Sequence, residues 1–224
     1  MTGILASINS LDEVPFILNT AVDIIDLKQP ELGALGALST EAVSQIVQSV
    51  NNKKPVSATV GDLPMQADLV FNAVNEMTKT GVDYIKIGFF PEGNLDNTLN
   101  KLTEITEQGF KLIAVLFADT HPDFNIIKSI KKAGFTGVML DTQDKSKGSL
   151  SQVMPLSDIK EFVNTANNLQ LLCGLAGSLN QEDIPQLLEL NADYLGFRGA
   201  LCEKNDRTAK LDTDSINSIL THFA

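Results

Sequence analysis

Short apolar runs rich in Val, Ile and Leu alternate along the chain with longer segments in which apolar residues recur at helical spacing. This alternation is typical of βαβ units and predicts a parallel sheet whose faces are covered by helices. Gly81, Gly109 and Gly134 each stand between a helical segment and the next apolar run, as expected for left-handed helix ends. The predicted strands lie near Gly3–Ile8, Asp23–Lys28, Pro55–Val60, Asp83–Phe89, Lys111–Ala118, Gly137–Thr142, Leu171–Ala176 and Asp193–Arg198.

Three predicted helices are preceded by residues that commonly cap a helix. Ser39 precedes a segment with apolar residues at helical spacing, Asn180 precedes the segment 181–190, and Asp212 or Thr213 precedes the last segment. About eight helix and strand units fill the chain, and no GxGxxG motif follows the first strand. The pattern therefore predicts a single (β/α)₈ TIM barrel, formed by one domain over residues 1–224, rather than an open doubly wound sheet.

The composition is that of an ordinary globular protein, with 43% hydrophobic and 20% charged residues. No apolar run approaches the roughly 18 to 20 residues that cross a bilayer. The first ten residues also lack the basic start and the small-residue cleavage site of a signal peptide. We therefore expect a cytoplasmic protein that does not associate with membranes.

The charged and sulfur-containing residues disfavour several classes of partner. A net charge of −11 argues against nucleic acid, whose binding needs a basic face. A small phosphorylated substrate needs only a local cluster of N–H groups, Lys and Arg. Cys173 and Cys202 lie in apolar stretches with no second Cys or His at metal-ligand spacing, which predicts buried reduced thiols. We expect no metal and no cofactor, and a homo-oligomer is compatible with the sequence.

Polar residues that follow the predicted strands indicate where the chemistry lies, because TIM-barrel sites are built at the carboxyl ends of the strands. Asp26 and Lys28 share one face at the end of the second strand. Lys86 stands among apolar residues on the fourth strand, and Asp141 and Lys145 follow the sixth. Three further aspartates stand at strand starts and are interpreted as entry-turn or solvated residues: Asp23, Asp83 and Asp193.

Two interpretations of this polar cluster remain open. In the first, Asp26 neutralises Lys28 and Asp141 neutralises Lys145, although internal ion pairs add little net stability because burial costs desolvation. In the second, a lysine is a nucleophile, since neighbouring ammonium groups and an apolar wall lower its pKa and its free amine adds to a carbonyl. The resulting iminium withdraws electrons while carboxylates move protons. Lys86 must be buried, paired or catalytic, because barrel strands have no exposed face.

The last two predicted strands are followed by residues suited to binding phosphate. Gly177 and Ser178 follow the seventh strand, and Arg198 and Gly199 end the eighth. Loops after these two strands form the usual phosphate site of this fold. We expect the backbone amides of Ser178 and Gly199, helped by Arg198, to hold a phosphate.

Six strings of the sequence resemble one family in collinear order over nearly the whole chain. They are DIIDLKQPELGALGA, VSATVGDLP, DYIKIG, MLDTQDKSKGSL, LAGSL and GFRGALCEKNDR. The chain is similar to the (5-formylfuran-3-yl)methyl phosphate synthases, also called 4-(hydroxymethyl)-2-furancarboxaldehyde-phosphate synthases. The resemblance implies a lyase of methanofuran biosynthesis that condenses two molecules of the triose phosphate glyceraldehyde 3-phosphate, one of them reacting as its ketose isomer dihydroxyacetone phosphate, with loss of phosphate and water.

The resemblance also implies a role for each clustered residue. Lys28 forms the Schiff base, Lys86 is the proton acceptor, and Asp26, Asp141 and Lys145 complete the site. From the strand spacing, we expect Asp26 to shuttle protons for Lys28. Lys86, which has no acidic residue at that spacing, is expected to lower the pKa of Lys28. Two polar residues after the fifth strand receive no role, Asp119 and His121.

Two other functions are compatible with the same residues. Another class I aldolase acting on a phosphorylated sugar would share the lysines and the phosphate loops, and its product would distinguish it. A non-catalytic barrel that binds phosphometabolites would use the lysines as anion ligands, and it would form no imine that borohydride can reduce.

Overall fold

Eight parallel strands close into a barrel in the computed structural model, which describes residues 1–223. Each strand pairs with its neighbours in chain order, and the first also pairs with the eighth. The predicted TIM barrel is therefore confirmed. The strands are β1 Gly3–Ile8, β2 Ile24–Leu27, β3 Val56–Thr59, β4 Tyr84–Gly88, β5 Leu112–Phe117, β6 Gly137–Asp141, β7 Leu172–Leu175 and β8 Tyr194–Phe197.

The connecting helices cover the outside of the barrel with their apolar faces. Ser39 caps its helix, since its side chain accepts the N–H of Ala42 at 3.2 Å, and Asp212 caps the last helix. The Asn180 prediction is only partly right, because its side chain caps a turn and the helix itself begins at Ile184. The α-helices found within the described residues are α1 Val14–Leu18, α2 Thr40–Val50, α3 Ala67–Thr78, α4 Leu95–Thr106, α5 Ile126–Lys132, α6 Leu150–Val153, α7 Leu156–Asn168, α8 Ile184–Leu188 and α9 Thr213–Leu220.

The barrel interior is a small core, separate from the larger core between strands and helices. Parallel register places Met139 opposite Gly174, and Gly174 opposite Tyr194. A Cβ atom added at Gly174 would lie 2.7 Å from Met139 Cε, so this glycine makes room for the methionine. The interior apolar residues are Leu5, Ile24, Ile113, Val115, Phe117, Met139 and Ala176, together with Ala34 and Leu35 from the loop after β2.

Aspartates at the amino ends of three strands tie each strand to the preceding one in the sheet. The carboxylate of Asp193 accepts the N–H of Cys173 at 2.7 Å, while its own N–H donates to the carbonyl of Cys173 at 2.8 Å. This confirms the interpretation as entry-turn residues and gives it a mechanism. The same two-bond arrangement joins Asp23 to Ile4 and Asp83 to Val56.

Both cysteines are buried free thiols, as predicted. Burial raises the pKa of each thiol, that of Cys202 to about 11, so neither thiolate is populated at neutral pH. Within residues 1–223, no group of three His, Cys, Asp or Glu side chains is arranged to hold a metal ion. None of the helices in this part of the chain combines the length and apolarity that crossing a bilayer requires.

Candidate active site

A cavity of about 440 Å³ opens at the carboxyl ends of the strands. It brings together every residue that the sequence predicted for the site, from β2, β4 and β6 and from the loops after β2, β6, β7 and β8. These residues are Asp26, Lys28, Lys86, Asp141 and Lys145, predicted to be catalytic, and Gly177, Ser178, Arg198 and Gly199, predicted to bind phosphate.

Asp26 is the centre of a buried hydrogen-bonded group on four consecutive strands. Its Oδ1 accepts from Lys86 Nζ at 2.9 Å and from Ser57 Oγ at 2.6 Å, and its Oδ2 accepts from Ser7 Oγ at 2.9 Å. Burial alone would raise the pKa of Asp26. The nearby Lys86 and Lys28 ammonium groups and the Ser57 hydroxyl lower it by more, so the pKa of Asp26 lies below its usual value. Asp26 is therefore a fully satisfied carboxylate.

The pairing of Asp26 with Lys86 corrects one expectation from the sequence. Asp26 pairs with Lys86 rather than with Lys28, while Lys86 lowers the pKa of Lys28, as expected. Residues two apart on a strand are separated by about 6.6 Å along it. Lys86 lies two strands away, but parallel register sets Asp26 beside Ser57 and Lys86 beside Thr59, so its long side chain reaches back to the carboxylate.

Lys28 has the opposite surroundings. Among the described residues, no protein group accepts a hydrogen bond from its Nζ, and the nearest carboxylate oxygen, Asp141 Oδ2, is 3.9 Å away. The side chain is 9% exposed and lines the cavity. Burial lowers the pKa of Lys28 to about 8, with Asp141 opposing this and the ammonium groups of Lys145 and Lys86 adding to it. About one tenth of Lys28 is thus neutral amine at pH 7.

Asp141 has one satisfied oxygen and one free one. Its Oδ1 accepts from Lys145 Nζ at 2.5 Å and from the N–H of Thr142 at 2.7 Å, which confirms the predicted pairing with Lys145. Its Oδ2 is buried and has no hydrogen-bond partner within residues 1–223. Burial raises the pKa of Asp141, but Lys145 and Lys28 outweigh it and hold the pKa well below its usual range. An ionised, unpartnered oxygen therefore lies beside Lys28 at the wall of the cavity.

The loops after β7 and β8 present unpaired backbone N–H groups to the cavity. Within the described chain, the N–H groups of Gly177, Ser178 and Gly199 donate to no protein acceptor. Gly177 has φ 114°, and a Cβ there would lie 2.9 Å from the nitrogen of Thr142, so only glycine fits. Ser178 has φ 47°, which is uncommon for a residue with a side chain. Unpaired N–H groups around a cavity suit an anion.

The guanidinium of Arg198 is not available for phosphate, contrary to the expectation. It forms a buried pair with both carboxylate oxygens of Glu13, at 2.7 and 3.0 Å. Its remaining N–H groups donate to the backbone carbonyls of Ser7, Arg207 and Ala209. Arg198 therefore holds the loop after β8 against the start of the chain.

Two functional features escaped the prediction from sequence. Arg207 lines the cavity from the loop after β8, and its side chain donates to the carbonyl of Gly33 at 2.8 Å. The composition could have pointed to Arg207, because the chain has only two arginines and both follow the eighth strand. Asp119 accepts the N–H groups of Gln143 and Asp144 and so supports the loop that carries Lys145.

A family model described as 4-HFC-P synthase matches residues 4–220. This chain belongs to that family. A (5-formylfuran-3-yl)methyl phosphate synthase of Methanopyrus kandleri is 33% identical over 207 residues, covering 88% of this chain and 87% of the relative. One of Methanococcus maripaludis is 30% identical and covers 97% of each chain. A Methylorubrum extorquens protein, provisionally given the same name, is 39% identical over 93% of this chain and 86% of its own. The family is one of enzymes, so the chain is a synthase rather than a scaffold.

Solved structures similar to this 4-HFC-P synthase family member confirm the fold alone. A 3-hexulose-6-phosphate synthase aligns over 99% of this chain and 100% of its own with a TM-score of 0.69 and 14% identity. A phosphoribosyl anthranilate isomerase of Thermus thermophilus aligns over 100% and 98% with a TM-score of 0.67 and 13% identity. At such identities, shared architecture says nothing about shared chemistry.

Proposed function

We propose that this chain condenses two molecules of glyceraldehyde 3-phosphate into (5-formylfuran-3-yl)methyl phosphate through a Schiff base on Lys28. The atoms balance when one inorganic phosphate and two water molecules are released. The reaction is that of a lyase and supplies the furan of methanofuran. The observation that carries the proposal is the amine of Lys28, which is buried, unpaired and shifted toward neutrality at the mouth of the barrel.

Schiff-base formation uses Lys28 and Asp141. The neutral amine of Lys28 adds to the carbonyl of the first triose phosphate, and the carbinolamine then loses its hydroxyl group as water. Asp141 Oδ2, 3.9 Å from Lys28 Nζ, is the free oxygen that moves protons during these steps. The resulting iminium withdraws electrons and makes the neighbouring C–H group acidic.

Carbon–carbon bond formation needs a group that removes this proton. In the proposal Lys86 is the proton acceptor: its ammonium group passes a proton to Asp26, to which it is hydrogen-bonded at 2.9 Å, and the amine so formed takes the proton from carbon. Removal of this proton lets phosphate leave from the next carbon, and the terminal carbon of the enol so formed attacks the ketone of the second triose phosphate, which reacts as its ketose isomer. Ring closure, loss of two water molecules and hydrolysis of the imine to Lys28 then give the furan aldehyde.

The decisive test is incubation of the protein with glyceraldehyde 3-phosphate alone. We expect one equivalent of inorganic phosphate per furan product, detected by its ultraviolet absorbance and its mass. Reduction with borohydride during turnover should attach the triose to Lys28, located by peptide mapping. A different sugar phosphate as product would indicate another class I aldolase. Absence of any reducible adduct would contradict the proposal.

A further inference from the structure

A second, more open cleft of about 670 Å³ lies beside the reaction cavity at the same end of the barrel. Its walls come from the loops after β2, β3, β5 and β6, together with Arg207 from the loop after β8. Two cations line both spaces, Lys145 and Arg207. The two cavities therefore meet at these two side chains.

Of these two cations, Arg207 has unused hydrogen-bond donors. Lys145 Nζ already serves Asp141 Oδ1 and two oxygens of Thr142. Arg207 uses one N–H, to the carbonyl of Gly33, and its other side-chain N–H groups have no acceptor within the described residues. A guanidinium with several free N–H groups in a fixed fork matches the oxygens of a phosphate.

The three carboxylates that line the outer cleft, Asp62, Asp119 and Asp144, all accept hydrogen bonds from backbone N–H groups. Asp62 accepts the N–H groups of Ala34 and Leu35 at 2.9 and 2.7 Å. Asp119 is occupied in the same way by the loop after β6. None of the three forms an ion pair with Arg207, and Asp119 pairs instead with Lys147 at 3.5 Å. The cleft thus keeps one cation that is not neutralised by direct contact.

We infer that Arg207 binds the phosphate of the second triose phosphate, at a subsite separate from the backbone cradle after β7 and β8. The inference rests on the proposed function, in which two phosphorylated trioses must be held together. The cradle at Gly177, Ser178 and Gly199 holds one phosphate, and Arg207 holds the other at the boundary with the outer cleft. Lys28 lines the same cavity as both subsites, so a triose bound to Lys28 as a Schiff base would lie beside the second triose phosphate.

The test is calorimetric titration with glycerol 3-phosphate, a triose phosphate analogue that has no carbonyl and cannot react with lysine. We expect the unmodified protein to bind two molecules per chain. Arg207→Gln should bind one normally and the other at least tenfold more weakly, since a charge-assisted hydrogen bond is lost. Arg207→Lys should give an intermediate loss. Lys210→Gln, which removes an exposed charge from the same loop, is the matched control and should behave as the unmodified protein.

A second titration separates this inference from the proposed function. Protein reduced with dihydroxyacetone phosphate and borohydride carries one triose on Lys28 and should bind one glycerol 3-phosphate, whereas the reduced Arg207→Gln should bind almost none. If no adduct forms, the Schiff-base proposal fails while the two-molecule titration still tests Arg207. One binding site per unmodified chain, or two unaltered sites in a folded Arg207→Gln, would overturn the inference.

Discussion

The two ends of the barrel use aspartate in opposite ways. At the amino ends of the strands, Asp193 exchanges two hydrogen bonds with the backbone of Cys173 and joins adjacent strands. At the carboxyl ends, Asp26 and Asp141 face lysine side chains inside a cavity, and Asp141 retains an unpartnered oxygen. At the amino end the carboxylate fixes backbone, whereas at the carboxyl end Asp141 keeps one oxygen that no described protein group occupies.

A second contrast lies within the carboxyl end itself. The Lys86–Asp26 pair is in direct contact at 2.9 Å and buried on four strands, whereas Lys28 and Asp141 are 3.9 Å apart and open to the cavity. Direct contact gives the Lys86 ammonium group a carboxylate to which it can pass a proton, whereas burial without direct contact lowers the pKa of Lys28 and frees its amine. The difference assigns covalent chemistry to Lys28 and proton handling to Lys86 under the proposed function.

The largest effect expected is from Lys28→Arg. The guanidinium keeps the positive charge but cannot form an imine, so turnover should fall by about 10⁴-fold or more and no borohydride adduct should form. Lys86→Arg should also lose turnover but still form the adduct. Peptide mapping and furan absorbance check both variants, with Lys101→Arg on α4 as a surface control. An adduct on Lys86 or Lys145 would reverse the assignment.

Asp26→Asn tests whether the Lys86 pair is as tightly coupled as its geometry indicates. Removing the carboxylate charge leaves the Lys86 ammonium group buried without compensation, and such a loss costs about 3–5 kcal/mol. Chemical denaturation should show this decrease in the free energy of unfolding. A decrease below about 1 kcal/mol would mean that water or another group replaces the carboxylate.

The pH dependence of borohydride trapping should report the protonation of Lys28. Its pKa is lowered to about 8, so the neutral amine, and with it the rate of reducible adduct formation, should rise about tenfold per pH unit below that value. The rate should level off above it. Asp141→Asn removes a carboxylate that favours the ammonium form, so its plateau should begin at a lower pH. A profile that still rises tenfold per unit above pH 9 would contradict the assignment.

Asp193→Asn, at the amino end of the barrel strands, should have the smallest effect. The amide oxygen of asparagine still accepts the N–H of Cys173, so the free energy of unfolding should fall by only about 0.5–1.5 kcal/mol. Turnover should remain within twofold of the unmodified protein, because this end of the strand lines none of the catalytic cavity. Thermal melting and a standard assay are sufficient. A large loss of activity would show that the two ends are coupled.

Much of this protein was determined by local sequence pattern. Apolar periodicity and glycine helix ends placed all eight strands to within about two residues, and strand parity alone placed Lys28, Lys86 and Asp141 at one end of the barrel. These features repeat over a few residues, so they are readable without knowing which strands are neighbours.

Partnership between side chains was decided only by the tertiary structure. Strand parity suggested Asp26 for Lys28, but barrel register gave Asp26 to Lys86 and left Lys28 facing Asp141 from the opposite side of the cavity. Glu13, which is 185 residues away in sequence, pairs with Arg198 and so occupies its guanidinium, whereas Arg207 lines the cavity. Closure of the barrel sets such contacts between distant segments, and a long charged side chain pairs with whichever group closure brings within reach.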